Sequence, residues 1–236
     1  IMMEYLGDQE LMNSVMQAEL WTDEYIRTAL DDAAKWHAYS MQEMQDGKLK
    51  TWPDEPRKNR KELAPLYHAL WTNAATKLPD LLPEGVYQDI LNQINHLDEM
   101  QATFDSLPHC MIHNDMNPRN SCFIRDDRGL RFVLYDWELA TVHVPFYDIV
   151  ELLAFVLDED RYPLREAYFD YYRQCLEHHS GLSFPEEDYK EVIRLLHYDF
   201  LFLRLGMYLM AHCLSPYPFL PRVVRSAVEG SKEVRK

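Results

Sequence analysis

The chain has 236 residues, 47% of them hydrophobic and 13% aromatic, enough for one large folded domain or two small ones. Its 24 Lys+Arg against 39 Asp+Glu leave a net charge of −15, which argues against a nucleic-acid surface because affinity for phosphate backbones rests on basic side chains. The seven glycines are scattered along the chain, so no glycine-rich phosphate loop fits within it.

Residues 1–6 form a short apolar run closed by Gly7 and Asp8, the pattern of a strand end or linker. Leu11, Val15 and Ala18 then fall at helical spacing. Thr22-Asp23-Glu24 is a helix start, its acids favouring the positive end of the helix dipole. That helix is expected to run to about 44, with Tyr25, Ala29, Ala33, Trp36 and His37 on one side. Residues 46–60 carry Gly47, Pro53, Pro56 and several basic groups, a loop pattern. Helices are expected over 61–77 and 84–104.

The centre changes character. Short β-prone runs at 110–113, 121–124 and 130–135 surround a turn signal, Arg125-Asp126-Asp127-Arg128-Gly129. After Pro145 the helical pattern returns at about 146–157, 163–179, 186–213 and 218–228. The expected product is a mostly helical α+β domain with a small central β-hairpin.

The four cysteines have no CxxC pair, which speaks against structural zinc and suits a reducing compartment. The longest apolar stretch, 200–214, is interrupted by Arg204 and His212 and is too short to span a bilayer. No basic-then-apolar signal segment opens the chain. A cytoplasmic setting without a membrane partner is expected.

Most of the purposeful polar residues lie in the central β region. His113-Asn114-Asp115-Met116-Asn117-Pro118-Arg119-Asn120 links two short strands, and the third ends in Asp136-Trp137-Glu138. Asp115 can accept the proton of an attacking hydroxyl. The Asn120 amide oxygen and the Asp136 carboxylate are hard ligands suited to Mg²⁺ on nucleotide phosphates. A hairpin returns the chain beside its start, bringing 115, 120 and 136 to one edge. His109, His143, His178 and His179 are expected at the surface, without metal-ligand context. The tyrosines between 168 and 172 suit core and rim, and Asp158, Glu159 and Asp160 suit a solvated turn.

HxDxxxxN followed by a strand and Asp-Trp-Glu resembles the aminoglycoside phosphotransferase/choline kinase-like family, relatives of the protein kinases. The usual family loop reads approximately HGDLHPGN; HNDMNPRN keeps its His, Asp, Pro and Asn, and its HND start is similar to the choline-kinase branch. Val133 to Glu138, then Pro145-Phe146-Tyr147-Asp148 and an apolar helix, resemble the family's DWE and PxxD run. Met2 to Gly7 resembles the hinge between kinase lobes, and Ala34-Lys35-Trp36-His37 the end of a family helix.

The resemblance implies a protein kinase-like large C-terminal lobe, with the hinge at 1–7 and the lobe at 8–236. The catalytic loop and metal-binding hairpin would occupy 109–148, and the acceptor-binding helices 149–236. It implies an ATP- or GTP-dependent, Mg²⁺-dependent transfer of the γ-phosphoryl group to a small-molecule hydroxyl. Asp115 matches the catalytic base, His113 the brace of the loop, Asn120 and Asp136 the metal ligands, and Asp148 the acid pinning the loop backbone. The backbones of Glu4 and Leu6 take the places that hold adenine.

Arg119 stands where the family often has glycine, and could point to solvent or contact a phosphate or acidic acceptor. Glu138 could face the site or be a surface acid. Val144 replaces a common acidic residue. No β-strand lysine or phosphate-covering loop is present, so the N-terminal lobe is expected to be missing and the chain alone poorly active. The opening Ile1 suits a fragment or a processed chain. The acidic charge leans towards a cationic aminoglycoside or amino alcohol as acceptor. The alternatives are a pseudokinase-like small-molecule or nucleotide-binding module without transfer, and a metal-dependent hydrolase.

Overall fold

The computed structural model describes residues 7–49 and 60–232. Glu4 and Leu6, expected to hold adenine, lie outside the described residues, as does most of the 46–60 loop. Nine α-helices and four short strands follow in chain order among the described residues: α1 Asp23–Gln45, α2 Arg60–Lys77, α3 Val86–Ile94, α4 Leu97–Asp105, β1 Cys110–Ile112, β2 Ser121–Asp126, β3 Gly129–Leu134 and β4 Thr141–His143. The remainder is α5 Phe146–Val156, α6 Arg165–Ser180, α7 Glu186–Asp199, α8 Gly206–His212 and α9 Leu220–Gly230. A π-helical segment, Phe200–Leu205, joins α7 to α8.

The expected helix over 186–213 is therefore continuous in direction but not in hydrogen bonding. A π turn leaves backbone carbonyls without their usual partners, and the Trp71 indole of α2 donates to the Leu201 carbonyl at 3.0 Å. Each α-helical residue turns the helix by about 100°, so the inserted π residue re-aims the face presented by everything after it.

Two expectations fail at the level of segments. Residues 8–17 are not helical: Leu11 and Asn13 have φ of 55° and 51°, and Glu10 makes a backbone bridge to Phe123 of β2. Val15 and Ala18 are instead buried in the core, and their carbonyls accept from Arg222 and Arg161. The expected helix over 84–104 breaks at Asn95 and His96, whose N–H groups close on Asn92 and Gln93 instead of continuing the ladder.

α5 is the spine. All eleven of its residues are buried, and α7 and α9 pack along it. An apolar helix with no exposed face is stabilised by tertiary packing, at about 1.5–3 kcal/mol for each large side chain fully buried. Its only ionisable side chains besides Tyr147 are Asp148 and Glu151, three positions apart and hence on one face. α1 packs on α6 and against β1 and β3, while α2 packs on α8.

The strands form two antiparallel pairs, β1 with β4 and β2 with β3. In the hairpin Ser121 pairs with Leu134 and Asp126 with Gly129, and Gly129 has φ of 100°, which favours glycine at the turn. β4, not foreseen, pairs Cys110 with His143 and Ile112 with Thr141. His143, expected at the surface, is buried for that reason; its ring lies 3.2 Å from an Asp199 oxygen and edge-on to Phe104. Arg60 grips the same Asp199 carboxylate at 2.8 and 3.2 Å.

One close approach gives a stability prediction. A Cβ on Gly230 of α9 would sit 2.2 Å from His197 Nε2, and the buried ring is tethered by Nδ1 to the Ile193 carbonyl at 2.8 Å. Gly230→Ala is expected to lower unfolding stability by about 1–3 kcal/mol in denaturant titration, the usual cost of overpacking a core. An unchanged midpoint would show that the ring yields freely.

Candidate active site

The loop 113–120 leaves β1 and enters β2, and the segment 135–140 leaves β3 and enters β4. The two strand pairs therefore bring both connections together. Tyr135 donates its N–H to the Asn120 carbonyl at 3.0 Å, which sets Asp136 one residue from the end of the hydrogen-bonded ladder. The hairpin brings Asn120 beside the chain leading to Asp136.

The loop is pinned from below by α5. The buried Asp148 carboxylate accepts the N–H groups of His113 at 2.7 Å and Asn114 at 2.9 Å, and a ring N–H of His37 at 3.2 Å. His37 in turn meets the Tyr172 hydroxyl at 2.7 Å. Burial pushes the Asp148 carboxyl up, but the His37 hydrogen bond and charge and the loop N–H reverse this, holding it below its ordinary value. His113 donates through Nε2 to the Tyr135 carbonyl at 2.9 Å, clamping one connection to the other. Asn114 has φ of 63°, a left-handed conformation that asparagine tolerates and glycine favours. Asp136 is left-handed too, with φ of 64°.

Asp115 is the focus of the loop. Its Oδ1 accepts Asn117 Nδ2 at 2.7 Å, the Tyr208 hydroxyl at 3.1 Å and the Arg204 guanidinium. Its Oδ2 accepts Asn120 Nδ2 at 2.9 Å. Arg119 Nη2 stands 3.9 Å from Oδ1. Burial raises the Asp115 pKa, but the charge and hydrogen bond of Arg204, then Arg119 and Tyr208, more than offset it, and the carboxyl lies below its ordinary value. It is ionised at neutral pH and fixed in orientation.

Glu151, one α5 turn beyond Asp148, lies 3.4 Å from Asn117 Nδ2. Burial pushes its pKa up to about 8, and the charges of Asp115 and Asp148 add to that while Arg204 opposes it. Its folded-state value is raised, so its contribution to stability is full below about 4.5 and is lost as pH rises through about 8. His197 acts in the opposite sense: burial lowers its pKa to about 3, so its contribution is present above about 6.5 and lost as pH falls. Between pH 6.5 and 8 the fall in stability is therefore assigned to Glu151. It is expected to reach about 1.4 kcal/mol per pH unit at its steepest and to vanish in Glu151→Gln. Equal slopes in both proteins, measured by denaturation across that range, would contradict a neutral buried Glu151.

Asn120 and Asp136 are suited to a hard cation in different ways. The Asn120 Nδ2 is engaged with Asp115, which turns the amide so that Oδ1 is left without a hydrogen bond among the described residues. The exposed Asp136 carboxylate has no ion pair or hydrogen bond among the described residues. Those residues contain no group of three His, Cys, Asp or Glu side chains able to cage a metal. Mg²⁺ needs no such cage, because it keeps waters and substrate phosphates as most of its ligands, so the donor set fits that ion.

The structure thus brings together His113, Asp115, Asn120, Asp148 and Arg119. Arg119 does not point freely to solvent; it hydrogen-bonds Asn117 and Tyr208. Glu138 is exposed in the 3₁₀ turn Trp137–Leu139 and bonds to none of these groups. Arg204, Tyr208, Asn117 and Glu151 were not foreseen. Arg204 did carry a signal, being a lone charge inside an apolar helical run, a position that costs heavily unless partnered.

On a mostly helical α+β fold, α5 thus pins the backbone of a loop whose Asp115 carboxylate is held by Asn117, Asn120, Arg204 and Tyr208. Residues 1–184 match the phosphotransferase enzyme family known as APH, and the chain belongs to that family. Among solved structures it is similar to the Plasmodium vivax ethanolamine kinase, with a TM-score of 0.50 at 13% sequence identity. The alignment covers 97% of this chain and 63% of the kinase chain, so the chain spans less than two thirds of that relative's length. No curated protein sequence matches it. Among the described residues no helix is long and apolar enough to cross a membrane.

Proposed function

We propose that the chain carries the phosphoryl-transfer site of an ATP- or GTP-dependent small-molecule kinase. The observation that carries this reading is the Asp115 carboxylate, ionised, fixed through both oxygens, and coupled by Asn120 Nδ2 to an amide whose oxygen is left for a metal. The acceptor hydroxyl oxygen attacks the γ-phosphorus, forming one P–O bond as the bond to the β-phosphate oxygen breaks. The nucleoside diphosphate leaves, and the hydroxyl proton passes to Asp115.

Phosphoryl transfer of this kind has a loose transition state, so orienting the hydroxyl matters more than basicity. A carboxylate with a depressed pKa suits that task. Asn120 and Asp136 would hold Mg²⁺, which neutralises charge on the phosphates when bound. His113 and Asp148 are positioning residues that hold the loop.

Titration of the whole protein carrying this chain with nucleotide, with and without Mg²⁺, tests the metal assignment. Asn120→Ala combined with Asp136→Ala is expected to abolish the Mg²⁺-dependent part of nucleotide affinity. If that part survives the double substitution, these residues are not the ligands.

A further inference from the structure

Two guanidinium groups and one carboxylate meet where the acceptor hydroxyl must sit. Arg204 hydrogen-bonds Asp115 Oδ1, and Arg119 Nη2 stands 3.9 Å from the same atom. Glu151, which meets Asn117 of the loop, has its carboxyl pushed up to about 8 by burial. Within 4 Å of Asp115 Oδ1, two guanidiniums therefore stand against one carboxylate, while the Asp148 carboxylate lies behind on the loop backbone.

Arg119 is prepared for an external partner. Its guanidinium lies over two aromatic rings, 5.0 Å from the Tyr208 centroid and 5.7 Å from that of Phe219. Nε approaches Asn117 Oδ1 at 3.3 Å and Nη2 donates to the Tyr208 hydroxyl. Nη1 has no hydrogen bond among the described residues, and the side chain retains 28% exposure. A planar fork held on aromatic faces with a donor outward loses little freedom on binding, and its geometry matches carboxylate or phosphate oxygens.

We propose that the acceptor is a small hydroxy compound bearing an anionic group, a carboxylate or a phosphate, which Arg119 binds while the hydroxyl meets Asp115. The proposal rests on the phosphotransferase reading and specifies its substrate class. The 3.9 Å gap between Asp115 Oδ1 and Arg119 Nη2, extended by a hydrogen bond of about 2.8 Å at each end, limits the hydroxyl and the anion to a separation of about 9.5 Å. The acceptor is therefore short.

An ammonium group at that separation would instead face two guanidiniums across a partly desolvated site. The overall charge of −15 points the other way, but exposed charges beyond about 8 Å are largely screened at physiological salt. The local arrangement decides.

Calorimetry on the whole protein reads this directly with two- and three-carbon probes. Glycerate and glycerol 3-phosphate supply the carboxylate and the phosphate, glycerol is the neutral control, and ethanolamine is the cationic one. At least one anionic probe is expected to bind ten or more times tighter than glycerol and ethanolamine, and which of the two binds identifies the anion.

Arg119→Gln is expected to remove that preference, and Arg119→Lys, which keeps the charge but not the fork, to retain part of it. Ethanolamine binding more tightly than both anions, no anion binding at all, or a preference unaltered in Arg119→Gln would overturn the proposal. A transfer assay with the same probes and Asp115→Asn reads the phosphotransferase reading separately. Asp115-dependent transfer to ethanolamine would keep that reading and sink the anionic acceptor. Anion binding without transfer to any probe would keep the anion site and count against the phosphotransferase reading.

Discussion

Asp115→Asn is expected to lower the rate of phosphoryl transfer by about 10²–10⁴-fold, the range a positioned proton acceptor contributes. The substitution preserves size, but the amide nitrogen has no lone pair to receive the hydroxyl proton. It also places an N–H₂ group among donors, since Arg204, Tyr208, Asn117 and Asn120 all donate to this carboxylate. The rate loss should fall on kcat, with the KM for the Mg²⁺–nucleotide held within about twofold, because Asp115 is not assigned to the metal. Melting of the same sample separates loss of folded protein from loss of chemistry. A variant retaining more than a tenth of the wild-type rate would remove Asp115 from its role.

Asp148→Ala should cost about 3–5 kcal/mol of unfolding free energy, the penalty for stripping one partner from a buried charged network. The carboxylate is fully buried and accepts two loop N–H groups and the His37 ring. Its removal strands the buried His113 N–H and His37 ring, each at about 1–3 kcal/mol, and frees the half-buried Asn114 N–H. Whole domains are stable by only about 5–15 kcal/mol, so a denaturant midpoint far below wild type is expected. Transfer should fall as well, since the loop bearing Asp115 is no longer held to α5. A destabilisation under about 1 kcal/mol would mean that other contacts hold the loop.

The parts of the molecule legible in the sequence are those specified locally. α1 announces itself through Thr22-Asp23-Glu24 and an apolar stripe, and the hairpin through Asp126 to Gly129 and flanking β-prone residues. The loop polar residues stand out as a set because His113, Asp115 and Asn120 fall within one short loop, and the structure holds them together. What stayed hidden depends on distant partners.

β4 is three residues long and exists only by pairing with β1, so neither it nor the burial of His143 could be read from 141–143 alone. Residues 8–18 have helical spacing, but a backbone bridge to Phe123 and two left-handed residues override it. The π segment has no sequence signature, yet it sets the facing of Arg204 and Tyr208. Arg204 reaches Asp115 across 89 positions of chain.

The central claim is phosphoryl transfer to a small-molecule hydroxyl, and a single labelling measurement addresses it. The whole protein carrying this chain is incubated with Mg²⁺, γ-labelled ATP or GTP and the glycerate, glycerol 3-phosphate, glycerol and ethanolamine probes, and the label is followed by chromatography. The account predicts label in a phosphomonoester of an added acceptor, dependent on Mg²⁺ and lost in Asp115→Asn. Label released only as inorganic phosphate, or transfer at full rate in Asp115→Asn, would contradict it.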